Sequence, residues 1–428
     1  MKRYVLTTIA VAACMAIASA AHAAAAKAKP TYTIVVNAAG RAYAGQPITV
    51  ELPAPPKGMQ SGSLLDARGT PVPCTVESGA GASEVTFILD LAQGASQSYT
   101  FAWSPKPLAK EVPAKGVQVR RVAAAGAADA LAAVEFAVDG SPVTVYHPGD
   151  ARPNPSPADD RPKPYCWPII GPGGETITRA FPMAQVAGES NDHQHHRGLF
   201  FDHGDVNGVD FWTESKETGR IVQRALVILT SGPAMGHLRT DNDWIAPGGN
   251  TVCEDVRDVR VYRVPTGRLF DFDIAITAAE GQVKFGDTKE GTLGLRLADS
   301  ITLTRGHGHI LNSAGQKDRE TWGKRADWVD YSGPVQGKIV GVTIFDDPRN
   351  LRHPTYWHVR DYGLFAANPF GIHDFEGIRD EEPGAYTLAK GQTLTLRYRF
   401  YLHDGPADAA ALAALYDQYA NPPQVSLR

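Results

Sequence analysis

The chain has 428 residues, 43% of them hydrophobic and 21% charged, a composition that excludes a disordered or fibrous protein and leaves room for two cores. Its formal net charge of −4 is spread without long runs of one sign. No basic patch is interleaved with aromatics, so nucleic acid is not expected as a partner.

Lys2 and Arg3 precede an apolar stretch over residues 4–18 that closes on Ala21-His22-Ala23, the pattern of a secretory signal peptide (residues 1–23) cleaved near Ala23. The expected location is the periplasm or the medium. Val11-Ala12-Ala13-Cys14 is similar to a lipobox, which would acylate Cys14, but the apolar run continues past Cys14 and argues against that variant. No later stretch approaches the roughly 18 apolar residues of a membrane span, so no integral span is expected. Cleavage would leave Cys74, Cys166 and Cys253, an odd set that rules out a cystine framework.

Residues 24–30 read as an Ala/Lys tether. From Thr31 the runs YTIVV, PITVEL, EVTFILDL and SYTFAW, separated by Gly, Pro, Asn and Ser turns, predict a small β-sandwich over residues 31–107. A Pro/Lys stretch at residues 105–113 reads as a linker. Residues 108–405 continue in short β-rich runs and predict a large second β-domain. Asp271-Phe272-Asp273-Ile274-Ala275-Ile276, with its period of two, is the clearest half-buried strand. The proline-rich loop at residues 149–164 is the kind that forms a lid or a site wall. Only residues 406–419 show helical spacing, with Leu412, Leu415 and Tyr416 on one face, so residues 406–428 are expected to be a C-terminal helix and tail. The fold class is mostly β.

Four of the thirteen histidines, His193, His195, His196 and His203, fall in residues 191–212, NDHQHHRGLFFDHGDVNGVDFW. Imidazoles that donate, accept or ligate near neutral pH are costly to crowd unless they have partners. Alternation predicts an extended segment with His193 and His195 on one face and His196 on the other. The cluster reads as acid/base machinery, as a divalent-metal site built on His193, His195 and Asp205, or as a hydrogen-bonded polar core.

At residues 346–371, His353 and His358 flank Trp357, with Arg360 and Asn368 close by in sequence. Indole faces beside forked donors suit a sugar ring, and they suit an aromatic β-edge as well. Residues 286–296 carry Lys289, Glu290 and Arg296: the cations suit a carboxylate and Glu290 suits acid/base work, while an exposed turn is the plainer account. His307 and His309 lack a third ligand at local spacing, and Trp322 and Trp328 fit core packing as well as a sugar platform. The chain has no GxSxG, no Gly-rich phosphate loop, no HExxH and no CxxC, which removes the common serine-hydrolase, nucleotide, zinc-protease and thiol-redox readings. No cofactor is predicted; a divalent metal is the alternative.

The segments RPKPYCWPIIGPGGETITRAFP, DHQHHRGLFFDHGDVNGVDFW and HPTYWHVRDYGLFAANPFG resemble the bacterial secreted family known as PmoA-like, over roughly residues 115–404. The resemblance implies a β-supersandwich related to galactose mutarotases and a carbohydrate ligand, and it leaves the reaction open. On that expectation His195 or His196 transfers a proton, Arg197 fixes an oxyanion or carboxylate, and Asp205 or Glu290 is the opposing group. Trp212 and Trp357 would form a sugar platform. His193, Asn207, Lys289, Arg296, His353, His358, Arg360 and Asn368 would complete substrate binding. Epimerisation, β-elimination and glycoside cleavage all need such paired groups around a sugar ring, and a non-catalytic glycan-binding protein would use the same aromatics.

Overall fold

The structure is a computed structural model that describes residues 31–79, 81–106, 115–122, 133–149, 163–379 and 382–428. The signal peptide, Cys14 and the tether lie outside the described residues, as do most of the linker and of the proline-rich loop. No helix among the described residues is long and apolar enough to cross a membrane.

The first strands build a small sandwich. One sheet holds Thr31–Asn37, Ser96–Ser104, Ser61–Asp66 and Pro71–Val72; the other holds Tyr43–Pro53, Ala82–Leu91 and Cys74–Ser78. Alternation turns Ile48, Val50, Leu52, Val85, Phe87 and Leu89 inward against Ile34, Val36, Phe101 and Trp103. Each such side chain contributes roughly 1.5–3 kcal/mol by leaving water.

Two larger sheets, entirely antiparallel in their pairing, face each other across the main core. The nine-stranded sheet runs Lys324–Arg325, Tyr356–Val359, Leu364–Asn368, Gly291–Arg296, Leu199–His203, Tyr165–Ile169, Ser141–His147, Ala133–Val138, Val117–Val122. The eight-stranded sheet runs Arg220–Thr230, Met235–Ile245, Thr251–Tyr262, Arg268–Thr277, Thr393–Asp404, Lys338–Asp346, Trp328–Val335, His309–Asn312. Leu199, Phe201, Leu293, Leu295, Trp357, Phe365 and Ala367 of the first pack with Val259, Phe270, Phe272, Ile274, Ile344 and Phe400 of the second. The chain is therefore mostly β, a small sandwich followed by a large two-sheet sandwich, as composition and periodicity indicate.

The C-terminal helix spans Ala409–Ala420, capped by Asp408, whose carboxylate accepts from the amides of Ala410 and Ala411. Its Leu412 packs on Trp328 and Phe345. The segment beyond the helix is more than a tail: Gln424–Leu427 pairs antiparallel with Thr31–Asn37, so the last residues complete the first sandwich. All four are exposed on an edge, and their polar/apolar alternation, Gln-Val-Ser-Leu, runs for only four residues.

Strand Cys74–Ser78 meets Met235–Ile245, where Thr75 Oγ1 donates to the Met235 carbonyl. Beside it His237 lies between two carboxylates, Nδ1 at 2.9 Å from Glu77 and Nε2 at 2.5 Å from Asp258. Burial pulls the His237 pKa down, but Asp258 and Glu77 outweigh it and hold it above the usual 6.5. A raised folded pKa adds stability that is fully present below about 6.5 and is lost as pH rises through the folded value. Thermal melts from pH 6 to pH 9 should therefore show a loss in the wild type that His237→Gln lacks; parallel profiles would contradict this.

Candidate functional site

The face of the nine-stranded sheet turned away from the main core carries the candidate site. Register places Tyr165, Phe200, Gly294, Ala366 and His358 side by side across five strands, all pointing to that face. The row is low in its middle. A Cβ on Gly294 would stand 2.5 Å from the Phe200 ring, so only glycine lets that ring lie over the neighbouring strand.

Residues 191–198 fold over the row as a turn. His193 adopts φ 45°, and the His196 amide donates to the His193 carbonyl at 3.0 Å. The expectation of an extended segment is thus corrected: a positive φ and an i to i+3 bond bring His193 and His196 to the same side. Gly198, at φ 53°, ends the turn where a Cβ would come 2.3 Å from the Cys166 carbonyl oxygen. The rings form one stack, Tyr362 on His193 at 5.3 Å, His193 on His196 at 4.9 Å and His196 on Phe200 at 5.9 Å, with interplanar angles of 9°, 10° and 16°. Trp212 closes it edge-on, 5.4 Å from both His196 and Phe200.

Charge holds the turn from behind. Asp192 accepts from Arg179 at 2.6 Å and from Arg296 at 2.8 Å, both arginines being buried. Burial raises the Asp192 pKa, yet Arg296 and Arg179 bring it below the usual carboxylate range. Burial, reinforced by Arg179, lowers Arg296 to about 10.

In front lies a cleft of about 570 Å³ lined by His193, His195, His196, Gly204, Asp210, Trp212, Thr213, Thr288, Lys289, Glu290, His358, Arg360 and Tyr362. The wall at residues 288–290 is pinned by its own backbone: Asn368 Nδ2 donates to the Thr288 carbonyl, the Asp374 carboxylate accepts from the Lys289 amide, and the Gly204 amide donates to the Glu290 carbonyl.

Two imidazoles define what the cleft offers a ligand. His358 Nδ1 lies 2.8 Å from the Lys289 carbonyl, which can only accept, so Nδ1 carries the proton and Nε2 keeps a lone pair. His196 Nδ1 lies 3.3 Å from Arg296 Nη1, which can only donate, so the proton is on Nε2. Both Nε2 atoms are buried and have no partner among the described residues. Two residues of the lining thus hold one buried acceptor and one buried donor without a partner among the described residues. Burial pushes His358 down to about 4, His195 down to about 3, and His196 well below 6.5. His358 and His195 are neutral from pH 5 to 8, and His196 is held toward its neutral form. Side-chain ¹H–¹⁵N spectra should show no titration of His196 or His358 in that range, with the proton on Nδ1 of His358 and on Nε2 of His196; a midpoint near 6.5 for either would contradict the arrangement.

Of the expected site residues, His193, His195, His196, Trp212, Lys289, Glu290, His358 and Arg360 are brought together. Arg296 stands behind them and Asn368 beneath the wall. The rest are placed elsewhere. Arg197 is buried and bonded to Glu214 at 2.7 Å, so its guanidinium does not reach the cleft. Asp205 accepts from the Gly208 amide within its own turn, and Asn207 bonds Gln282 and Lys284. His353 joins Asp346 to Tyr416 and so ties down the C-terminal helix. Strand alternation turns Trp357 into the main core, fully buried with Nε1 donating to the Ala326 carbonyl, so it offers no sugar platform. His203 donates to the Gly286 carbonyl beneath the surface. Among the described residues no group of three His, Cys, Asp or Glu side chains is arranged to hold a metal, and His193, His195 and Asp205 are not gathered.

Sequence reasoning missed Tyr362, Asp210, Thr213, Thr288, and the buried cations Arg179 and Lys163. Tyr362, two residues after Arg360, was the accessible one, because a tyrosine beside an arginine in a strand-to-strand turn is a common ligand wall.

Fold and site together define a mostly β protein with a histidine-lined cleft on the outer face of one sheet. The chain belongs to a family of unknown function (DUF6807), whose pattern matches residues 133–417 and so includes the whole cleft. That match does not carry the name PmoA-like. No curated protein matches the chain. Its fold is similar to a galactose 1-epimerase from Lactobacillus acidophilus NCFM, at 7% identity over 68% of this chain and 99% of that one, with a TM-score of 0.30. It is similar also to a putative aldose 1-epimerase from Escherichia coli K12, at 12% identity over 68% of this chain and 100% of that one, with a TM-score of 0.25.

Proposed function

We propose that this chain is an exported carbohydrate-active protein that works by histidine acid/base chemistry. One observation carries the reading: two buried neutral imidazoles of opposite tautomer, both with an unpartnered Nε2, line the same cleft. A sugar carbon bearing a hydroxyl offers what that pair lacks, a proton for the His358 lone pair and an oxygen for the His196 N–H. In the acid/base step His358 Nε2 takes a proton from the substrate while the neutral His196 Nε2–H donates a hydrogen bond to the oxygen that gains charge. Glu290 on the pinned wall is a further titratable group within the lining. Epimerisation and β-elimination both begin with such a transfer; glycoside cleavage begins with a proton delivered to the glycosidic oxygen, for which Glu290 is the candidate. The cleft volume falls in the range of small-molecule sites, and its mix of hydroxyls, carboxylates and aromatic edges suits a polyhydroxylated ring. The Lys2-Arg3 and apolar leader supports export to the periplasm or beyond.

The second reading is a glycan-binding protein without turnover. Its supporting observation is the low pKa of His358, about 4, since a base this weak is far from the optimum near operating pH. Incubating the protein with neutral, oxidised and uronic-acid-containing oligosaccharides, with products followed by NMR, separates the two. Turnover that vanishes in His358→Asn supports the enzyme; binding without any product supports the second reading.

A further inference from the structure

We infer that the ligand of this cleft carries a carboxylate and that Arg360 holds it. The inference rests on the carbohydrate reading and narrows it to acidic sugars.

The cations around the cleft differ in what they already hold. Arg179 and Arg296 share Asp192, Lys163 is paired with Asp202, Arg197 with Glu214, and Lys289 lies 3.6 Å from Glu290 and 3.8 Å from Asp374. Arg360 lines the cleft, and among the described residues its guanidinium has neither a carboxylate within ion-pair distance nor a hydrogen-bond acceptor. It is not loose. Its backbone is fixed by the amide bond to the Leu364 carbonyl at 2.7 Å, and its guanidinium packs over Tyr362 at 5.3 Å and Trp322 at 6.0 Å. Two aromatic faces hold the planar group in place with its N–H fork unused, so little conformational freedom is lost when an anion docks.

The carboxylates of the lining do not compete for that fork. Asp210 is occupied by the amides of Trp212 and Thr213 and by the Thr213 hydroxyl, and Glu290 sits by Lys289. Behind His193 the two buried arginines share Asp192 and also feel Asp299, so that charge is largely answered from within the wall. A half-buried free guanidinium selects an anion. Its planar fork matches the two oxygens of a carboxylate. With His196 and His358 serving a sugar carbon and its oxygen, a uronic or aldonic acid also gives the Arg360 fork its partner.

Isothermal titration of the purified protein with D-glucuronate, D-galacturonate, their neutral parent sugars and D-glucose 6-phosphate tests this, using the wild type, Arg360→Gln and Arg360→Lys. At least one uronate should bind tenfold or more tighter than its neutral parent, and Arg360→Gln should lose that preference. Arg360→Lys should recover only part of it, because an ammonium lacks the fork. Equal affinity for acid and neutral sugars, unchanged in Arg360→Gln, would overturn the inference and leave the carbohydrate reading intact. Preference for the phosphate would overturn the carboxylate assignment, and failure of every sugar to bind would overturn both readings. Matching melting temperatures of the variants and the wild type exclude misfolding as the cause.

Discussion

His358→Asn is expected to lower turnover of a cleft substrate by about 10²–10⁴-fold, the usual contribution of a positioned acid/base group, and to leave the fold intact. The choice of asparagine follows from the two ring nitrogens. Nδ1–H donates to the Lys289 carbonyl and helps pin the wall at residues 288–290, whereas Nε2 has no partner among the described residues. An Asn amide supplies a donor near the Nδ1 position and nothing at the Nε2 position. It therefore separates loss of chemistry from loss of the wall, which alanine would combine with a cavity. The measurements are kcat, KM and melting temperature for the wild type, His358→Asn and His358→Gln. Gln reaches the Nε2 position but cannot take a proton, so it should restore part of KM and none of kcat. If His358→Asn keeps wild-type kcat, the base lies elsewhere, and Glu290 is the next group on the lining to replace.

How far the sequence leads to this site depends on the range of the signal. Period-two runs such as residues 271–276 are local, and they announce the strands because each residue's burial is decided by its own parity. The same parity, applied to Tyr356–Val359, puts His358 and Trp357 on opposite faces but does not say which face is the core, so the indole reads from sequence as a ligand platform. What decides is the partner row, Phe200, Gly294 and Ala366, contributed by strands more than sixty residues apart. The histidine turn escapes the pattern for a different reason. Alternation in DHQHHRG looks extended, yet Asp192 binds Arg179 and Arg296, the second of them 104 residues away, and the chain must double back to satisfy both. The closing edge strand Gln424–Leu427 alternates polar and apolar over only four residues, too short a run to tell it from a tail.

Arg197→Leu is expected to cost about 3–5 kcal/mol of stability, the range measured when one member of a buried ion pair is removed. By sequence alone Arg197 belongs to the most conspicuous motif in the chain and is an obvious anion holder. In the structure its guanidinium and the Glu214 carboxylate are each 2% exposed and 2.7 Å apart, with the Tyr165 ring against the guanidinium and Lys163 within 4.0 Å of Glu214. Deleting the arginine strands a carboxylate in a low-dielectric pocket. Deleting both removes the charge together with its partner, so Arg197→Leu/Glu214→Leu should be more stable than either single variant, and the double-mutant cycle should give a coupling of a few kcal/mol. Lys163 keeps Asp202 in every case. A role in the cleft predicts the opposite pattern: a normal melting temperature, a defective kcat and no rescue by the second substitution. Thermal melts of the four proteins decide between these outcomes. Spacing cannot supply the distinction, since His196 and Arg197 are neighbours in the chain, yet the imidazole of one faces the cleft while the guanidinium of the other is held under it.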